Sequence, residues 1–348
     1  MKPWLRGAGR VVCVGETMAA LAPDPPQALE SAARLRLSVA GAESNVAMYL
    51  ADHGVPVAWL SALGDDALGR RVRAAVAAAG VDVSHVRTDA HRPTGLMLKD
   101  PAPTGTRVHY YRAGSAASAL GPGLLDEEPA GSASLLHFTG ITAALSPSCR
   151  ALLDAALAPP PAGRPHAVSF DVNHRPALWP GDGSAATVLR ALADRADIVF
   201  VGLDEAQALW GADLTEPAVR ELLPRPAVLV VKDGAHAATA FTEDGVHTVP
   251  ALRTTVVEPV GAGDAFAAGF LTGLLRDVPV PRALRLGHLT AVSALQVTGD
   301  HGPLPDPARI DRLLALPDAA WAALGASGSR CSPPLSGRPL RSGPPGPP

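Results

Sequence analysis

A chain of 348 residues, 47% hydrophobic, 18% charged and 4% aromatic, is long enough to bury one large core with a small accessory sheet. A formal net charge of −3 and a pI near 6.4 offer no electrostatic footprint for nucleic acid or an anionic membrane, while leaving small anions open as ligands. Cys13, Cys149 and Cys331 are odd in number and scattered without metal-ligand spacing, and residues 1–10 lack an apolar signal core, so a reducing cytoplasm is the expected setting.

Arg10–Gly15 is a continuous apolar run ended by glycine, which predicts a buried strand of a parallel sheet. Leu35, Leu37 and Val39 keep a period of two and predict a half-exposed strand. Residues 43–53 have helical spacing, 57–63 are strand-like, and the alanine-rich stretch 65–79 ends at Gly80, a C-cap signal. Two short strands, 94–99 and 107–112, flank a Pro/Gly-rich hairpin connection and join the 35–39 strand in a small separate sheet.

The α/β rhythm then resumes, with strands over 134–139, 167–171, 198–201 and 228–231, a hairpin over 237–249, and helices over 146–158, 185–193, 204–209, 217–222, 263–275 and 280–297. Such alternation predicts a three-layer α/β/α core around a mostly parallel sheet, with the small sheet as a lid. Residues 325–348, rich in Pro, Gly, Ser and Arg, are expected to form a disordered tail.

One stretch carries chemistry. At Glu258-Pro259-Val260-Gly261-Ala262-Gly263-Asp264-Ala265-Phe266 a β-type run, Thr254–Val257, breaks before a helical segment. Glycines let backbone N–H groups approach an oxyanion, and the helix N-terminus adds unpaired donors and a positive dipole end. Asp264 beside such a cradle suits a base that deprotonates an alcohol during phosphoryl transfer. Taken alone, the same residues also fit a glycine turn whose acidic residue only favours the helix dipole. No Gly-Lys pair and no G-x-G-x-x-G after the first strand occur, which excludes a P-loop and a dinucleotide fingerprint.

The late stretch, extended through Ala267-Ala268-Gly269-Phe270, resembles the late signature of the ribokinase-like (PfkB-type) carbohydrate kinases. Ala40-Gly41-Ala42-Glu43-Ser44-Asn45-Val46-Ala47 and Gly64-Asp65-Asp66-Ala67-Leu68-Gly69 resemble the early one. Within that family the likeness is greatest to 2-keto-3-deoxygluconate kinases, and the resemblance implies a kinase domain over residues 10–324 with lid strands from about 18–40 and 94–114.

Carried over by residue, the resemblance implies Asp264 as catalytic base and the amides of Gly261, Ala262 and Gly263 as anion hole. It implies Glu205 as a water-mediated magnesium contact, and Lys232, Gly234 and His288 at the nucleotide. Gly41 and Asn45 are implied to hold sugar hydroxyls, and Tyr110, Arg112 and Arg175 to meet a sugar acid, since a guanidinium grips a carboxylate bidentately.

ATP and Mg2+ are the implied cofactors, with K+ a candidate third: the family associates this region with a monovalent cation, but Glu258 stands there in place of the usual aspartate, which puts potassium dependence in question. The implied reaction is phosphorylation of the terminal hydroxyl of 2-keto-3-deoxygluconate, with homo-oligomerisation through the lid sheet. Each residue has a plainer reading: Asn45 as a helix N-cap, Glu205 as a helix N-terminal carboxylate, Lys232 as a solvated turn lysine, Tyr110 as lid packing, and the two arginines as partners of surface carboxylates.

The sequence departs from the pattern in places. Ala40 stands for a usual glycine, Met97 for a tyrosine that often meets substrate, Glu258 for an aspartate, Gly202 for a polar residue and His288 for an asparagine. Two alternatives follow: a kinase of another sugar, such as a ketohexose, ribose or a nucleoside, or a non-catalytic sugar-binding or regulatory protein on the same fold.

Overall fold

The computed structural model describes residues 9–102, 105–158, 166–179, 181 and 183–326. Fourteen strands are present among them: β1 (Val11–Val14), β2 (Met18–Pro23), β3 (Leu35–Ala40), β4 (Val57–Leu60), β5 (Ala62–Gly64), β6 (Arg87–Asp89), β7 (Leu96–Ala102), β8 (Gly105–Tyr111), β9 (Leu135–Thr139), β10 (Ala167–Asp171), β11 (Ile198–Gly202), β12 (Val228–Asp233), β13 (Ala237–Thr242) and β14 (Gly245–Pro250). The α-helices are α1 (Ala42–Asp52), α2 (Ala67–Ala78), α3 (Glu128–Gly131), α4 (Gly140–Leu145), α5 (Pro147–Ala156), α6 (Ser184–Ala193), α7 (Leu203–Trp210), α8 (Glu216–Leu222), α9 (Ala262–Leu275), α10 (Val280–Leu295), α11 (Pro307–Leu314) and α12 (Asp318–Ala326).

The main sheet has eight strands in the order β14-β13-β12-β11-β10-β9-β1-β4. The six from β4 to β12 run parallel, and β13 and β14 add an antiparallel edge. Alternate residues of each central strand enter opposite cores. Val11, Cys13, Leu135 and Phe200 face the layer of α1, α2, α9 and α10. Val12, Val14, Leu136, Val199 and Val201 face the layer of α5 to α8. Both faces being covered is why β1, β4 and β11 are apolar along their length rather than at every second position.

The lid is a four-stranded sheet, β3-β2-β7-β8, with antiparallel hairpin pairings and a parallel contact between β2 and β7. Its inner face carries Met18, Ala20, Ala40 and Met97, with Val108 and Tyr110 packed on them. The helix that begins at the glycine stretch, α9, is buried along nearly its whole length. It lies close to α10 because Gly269 has no side chain: a Cβ there would come within 2.5 Å of Leu286 O.

Several expectations need correction. Thr254–Val257 forms no strand, because Val257 N–H donates to Leu295 O at 2.7 Å and so serves the end of α10 instead of a neighbouring strand. The 57–63 run divides at Ser61 into β4 and β5, which belong to different sheets. Helices α3, α4, α11 and α12 are additional to those the sequence predicts. Gly325 and Ala326 close α12, and the rest of the expected tail, 327–348, lies outside the described residues. No helix among those described is long and apolar enough to cross a membrane.

Candidate active site

Gly261 precedes the first residue of α9 with φ +84°, a left-handed conformation that a side chain disfavours, and a Cβ there would lie 2.7 Å from Asp300 O. The chain can therefore turn tightly into the helix only with glycine. Of the first-turn amides of α9, Ala262 N–H makes only a long bond to Pro259 O, at 3.4 Å, and the dipole's positive end lies among them.

Asp264 stands in that first turn and is buried. Its Oδ2 accepts from Asn45 Nδ2 at 2.9 Å, and its Oδ1 from Asn173 Nδ2 at 3.2 Å. Burial, with the charges of Asp171 and Asp300, pushes its carboxyl up to about 7, against the opposing effects of the Asn45 bond and Arg175. A carboxyl that titrates near neutrality is poised to take a proton from an alcohol.

Asn45 lies in the second turn of α1, whose N-cap is Gly41, so the N-cap reading of Asn45 does not hold. Gly41 sits where a Cβ would meet Glu16 O at 2.5 Å. Asn173 had no role in the sequence reading. It follows β10 with φ +41°, a conformation asparagine tolerates better than most side chains, and its placement beyond a strand's carboxyl end is the signal that marks it. The side-chain oxygens Asn45 Oδ1, Asn173 Oδ1, Asp171 Oδ1 and Thr17 Oγ1 are buried and have no hydrogen-bond partner among the described residues. Buried acceptors of this kind suit ligand hydroxyls.

Lys232, at the end of β12, donates to Asp171 Oδ2 at 2.8 Å, and its Nζ lies 3.4 Å from where a Cβ on Gly263 would be. It is no solvated turn lysine. Burial opposes its charge, but Asp171 and Glu205 outweigh that and raise its pKa. Glu205 accepts from Gly202 N–H at 3.0 Å, so it does cap α7, and it lies 3.8 Å from Arg175 Nη1. Burial first and Asp171 second push its carboxyl upward.

From this polar end a cleft of about 840 Å³ runs between the β12–β13 turn and the helices α9 and α10. Glu205, Gly234, Phe266, His288 and Leu295 are among the residues that line it. His288 donates through Nε2 to Val249 O at 3.0 Å and packs edge-on against Phe266. Its pKa is lowered to about 4 by burial, so the ring presents itself neutral.

On the lid, Met97 pairs directly with Tyr110, and the Arg112 guanidinium lies 5.7 Å from the Tyr110 ring centroid. Arg112 Nε donates to Glu16 Oε2 at 2.6 Å, and Ser115 Oγ donates to Glu16 Oε1. Both Arg112 and Glu16 are buried, so this is no surface pair.

A family profile described as pfkB family carbohydrate kinase matches residues 8–307. The chain belongs to that family. Among this kinase's relatives, the 2-dehydro-3-deoxygluconokinase of Thermoproteus tenax is 35% identical over 309 residues, 87% of this chain and 94% of the relative. The 2-dehydro-3-deoxygluconokinase of Bacillus subtilis is 34% identical over 311 residues, 87% of this chain and 95% of that protein. A solved PfkB protein from Polaromonas sp. JS666 superposes with a TM-score of 0.77 at 37% identity, covering 87% of this chain and 99% of that one. The three-layer core with a separate small sheet is thus the ribokinase-like fold of this family.

Around Glu258 the structure of this kinase disagrees with the potassium expectation. Lys99, from β7 of the lid, donates through Nζ to Glu258 Oε1 and to Asp300 Oδ1, the latter at 3.3 Å. An ammonium stands between these two carboxylates, where the sequence placed the candidate cation.

Proposed function

We propose that this kinase transfers the γ-phosphoryl group of ATP to the terminal hydroxyl of 2-keto-3-deoxygluconate. The observation that carries the reading is Asp264, a buried carboxyl near pKa 7 held by two asparagines in the first turn of α9 behind Gly261. The names of the two relatives support the sugar-acid class.

Asp264 takes the proton of the sugar hydroxyl as its oxygen bonds to the γ-phosphorus. The bond from that phosphorus to the β,γ-bridging oxygen breaks, and ADP leaves with the electron pair. The amides of Gly261, Ala262 and Gly263 receive the equatorial phosphoryl oxygens, and Lys232 adds positive charge beside them. Nucleotide lies along the cleft from Lys232 and Gly234 to His288.

Magnesium supplies charge neutralisation on the phosphates. Glu205 and Asp171 offer the hard oxygen ligands it favours, and Asp171 Oδ1 is a buried acceptor without a partner. No group of three or more His, Cys, Asp or Glu among the described residues forms a protein-only cage, which suits a metal carried by the nucleotide and its waters.

Gly41 and Asn45 hold sugar hydroxyls, while Tyr110 and Arg112 from the lid, with Arg175 from the β10 end, orient the acid. Glu16 engages Arg112 through Nε and Nη2, which aims the five-donor fork without exhausting it. A homodimer through the lid sheet is supported by an exposed aromatic residue, Tyr111, on its edge strand β8.

The test is ADP formation from MgATP with a panel of sugars. Turnover of 2-keto-3-deoxygluconate well above that of fructose, ribose and nucleosides is expected. Preferred turnover of a neutral sugar would reject the sugar-acid assignment.

A further inference from the structure

The buried lysine of the lid has no part in the site described above. Lys99 alternates with Met97 on the inner face of β7 and is buried with only 5% of its surface exposed. Its Nζ reaches out of the lid to two carboxylates of the core, Glu258 Oε1 and Asp300 Oδ1. Those carboxylates flank the glycine turn. Glu258 lies just before it, and Asp300 O is the atom that a Cβ on Gly261 would strike.

Asp300 is also joined to the base. Its Oδ2 accepts from Asn45 Nδ2 at 3.4 Å, the same nitrogen that donates to Asp264 Oδ2. Three carboxylates therefore gather around a loop that has to receive an anionic phosphoryl group. Without a cation among them, their mutual repulsion and burial would drive the loop open or leave one of them protonated. A second lid contact, Arg36 Nη1 to Thr298 Oγ1 at 3.2 Å, lands on the same segment, so the lid meets the core here at two points.

We propose that the Lys99 ammonium is a tethered monovalent cation: delivered by the lid, it neutralises Glu258 and Asp300 and so positions the anion-hole turn and Asn45, making the enzyme independent of added potassium. The inference rests on Asp264 and its glycine turn being the phosphoryl-transfer centre. An ammonium and a potassium ion carry the same charge at similar size. The tether differs in that the charge arrives only when β7 lies over the site, which links lid position to the order of the turn. Lys99 is on this reading a positioning residue.

The experiment is a kinase assay in tetramethylammonium buffer, with ATP as its tetramethylammonium salt, titrated with potassium or ammonium chloride. Wild-type turnover is expected to be complete without either ion and unchanged by both. Lys99→Ala is expected to lose about tenfold or more in kcat/KM under the same conditions. Potassium or ammonium, and not further tetramethylammonium, is expected to restore most of it by entering the space the side chain left.

A wild-type enzyme that needs potassium overturns the proposal. So does a Lys99→Ala enzyme that is fully active without any small cation, or one whose loss neither ion relieves. If Lys99→Ala fails to fold, Lys99→Gln, which keeps the stem and drops the charge, carries the same test. Absence of any sugar phosphorylation by the wild type would reject the kinase reading itself. In that event a potassium-dependent rise in melting temperature, present in the Lys99 variants and absent in the wild type, still tests the role of the ammonium.

Discussion

Asn45 and Asp264 lie 219 residues apart in the chain and meet in a 2.9 Å hydrogen bond from Nδ2 to Oδ2. The bond joins the second turn of α1 to the first turn of α9, and it stabilises the ionised form of Asp264 against the burial that raises its pKa to about 7. Asn45→Ala is expected to raise that pKa further. The acidic limb of the kcat/KM profile, which in the wild type falls as pH drops through about 7, should move to higher pH in the variant. A profile that keeps its limb and loses only amplitude would show that Asn45 acts through sugar binding alone.

Asp264→Asn removes the proposed base and is expected to cost about 10²–10⁴-fold in kcat while sugar binding, followed by calorimetry, survives. The same change has a stability signature of defined sign. The folded-state pKa of Asp264 is raised above the unfolded value, so the native state holds the proton more tightly and loses stability as pH rises from the unfolded pKa to about 7. Unliganded Asp264→Asn should therefore melt above the wild type at pH 8, with the gap closing towards pH 4.

Gly261→Ala forces a Cβ onto a backbone of φ +84° and against Asp300 O at 2.7 Å. The expected outcome is a loss of about 1–3 kcal/mol in stability, seen in chemical denaturation, with a larger fall in kcat than in sugar affinity. Normal turnover in this variant would remove the turn from the mechanism.

Arg112 and Glu16 are both buried and bonded to each other at 2.6 Å. Arg112→Met leaves the Glu16 carboxylate uncompensated and is expected to cost about 3–5 kcal/mol. Adding Glu16→Gln should recover part of that loss, a non-additivity that a double-mutant cycle measures. The double variant separates folding from recognition: a raised KM for the sugar acid, with KM for ATP unchanged, is expected of it.

Much of the site was legible because its determinants are local. Gly261, Gly263 and Asp264 lie within one helical turn, and glycine positions that demand a tight turn leave a mark in sequence whatever surrounds them. The apolar runs of β1, β9, β11 and β12 likewise announced strands covered on both faces. Thr254–Val257 shows the opposite case. Its β-branched residues suit a strand, yet pairing needs a neighbour, and its backbone was taken up by the end of α10.

What the sequence by itself determined is the family and the succession of the main-sheet strands, carried by periodicity and by short motifs, with the glycine turn marked as the candidate site. What only the tertiary structure decided is which charges meet. Lys99 finds Glu258 across 159 residues and Asp300 across 201, and Arg112 finds Glu16 across 96. Coulomb interaction and burial depend on separation in space, which the fold sets by laying the lid over the carboxyl ends of the main sheet, and no local pattern encodes it.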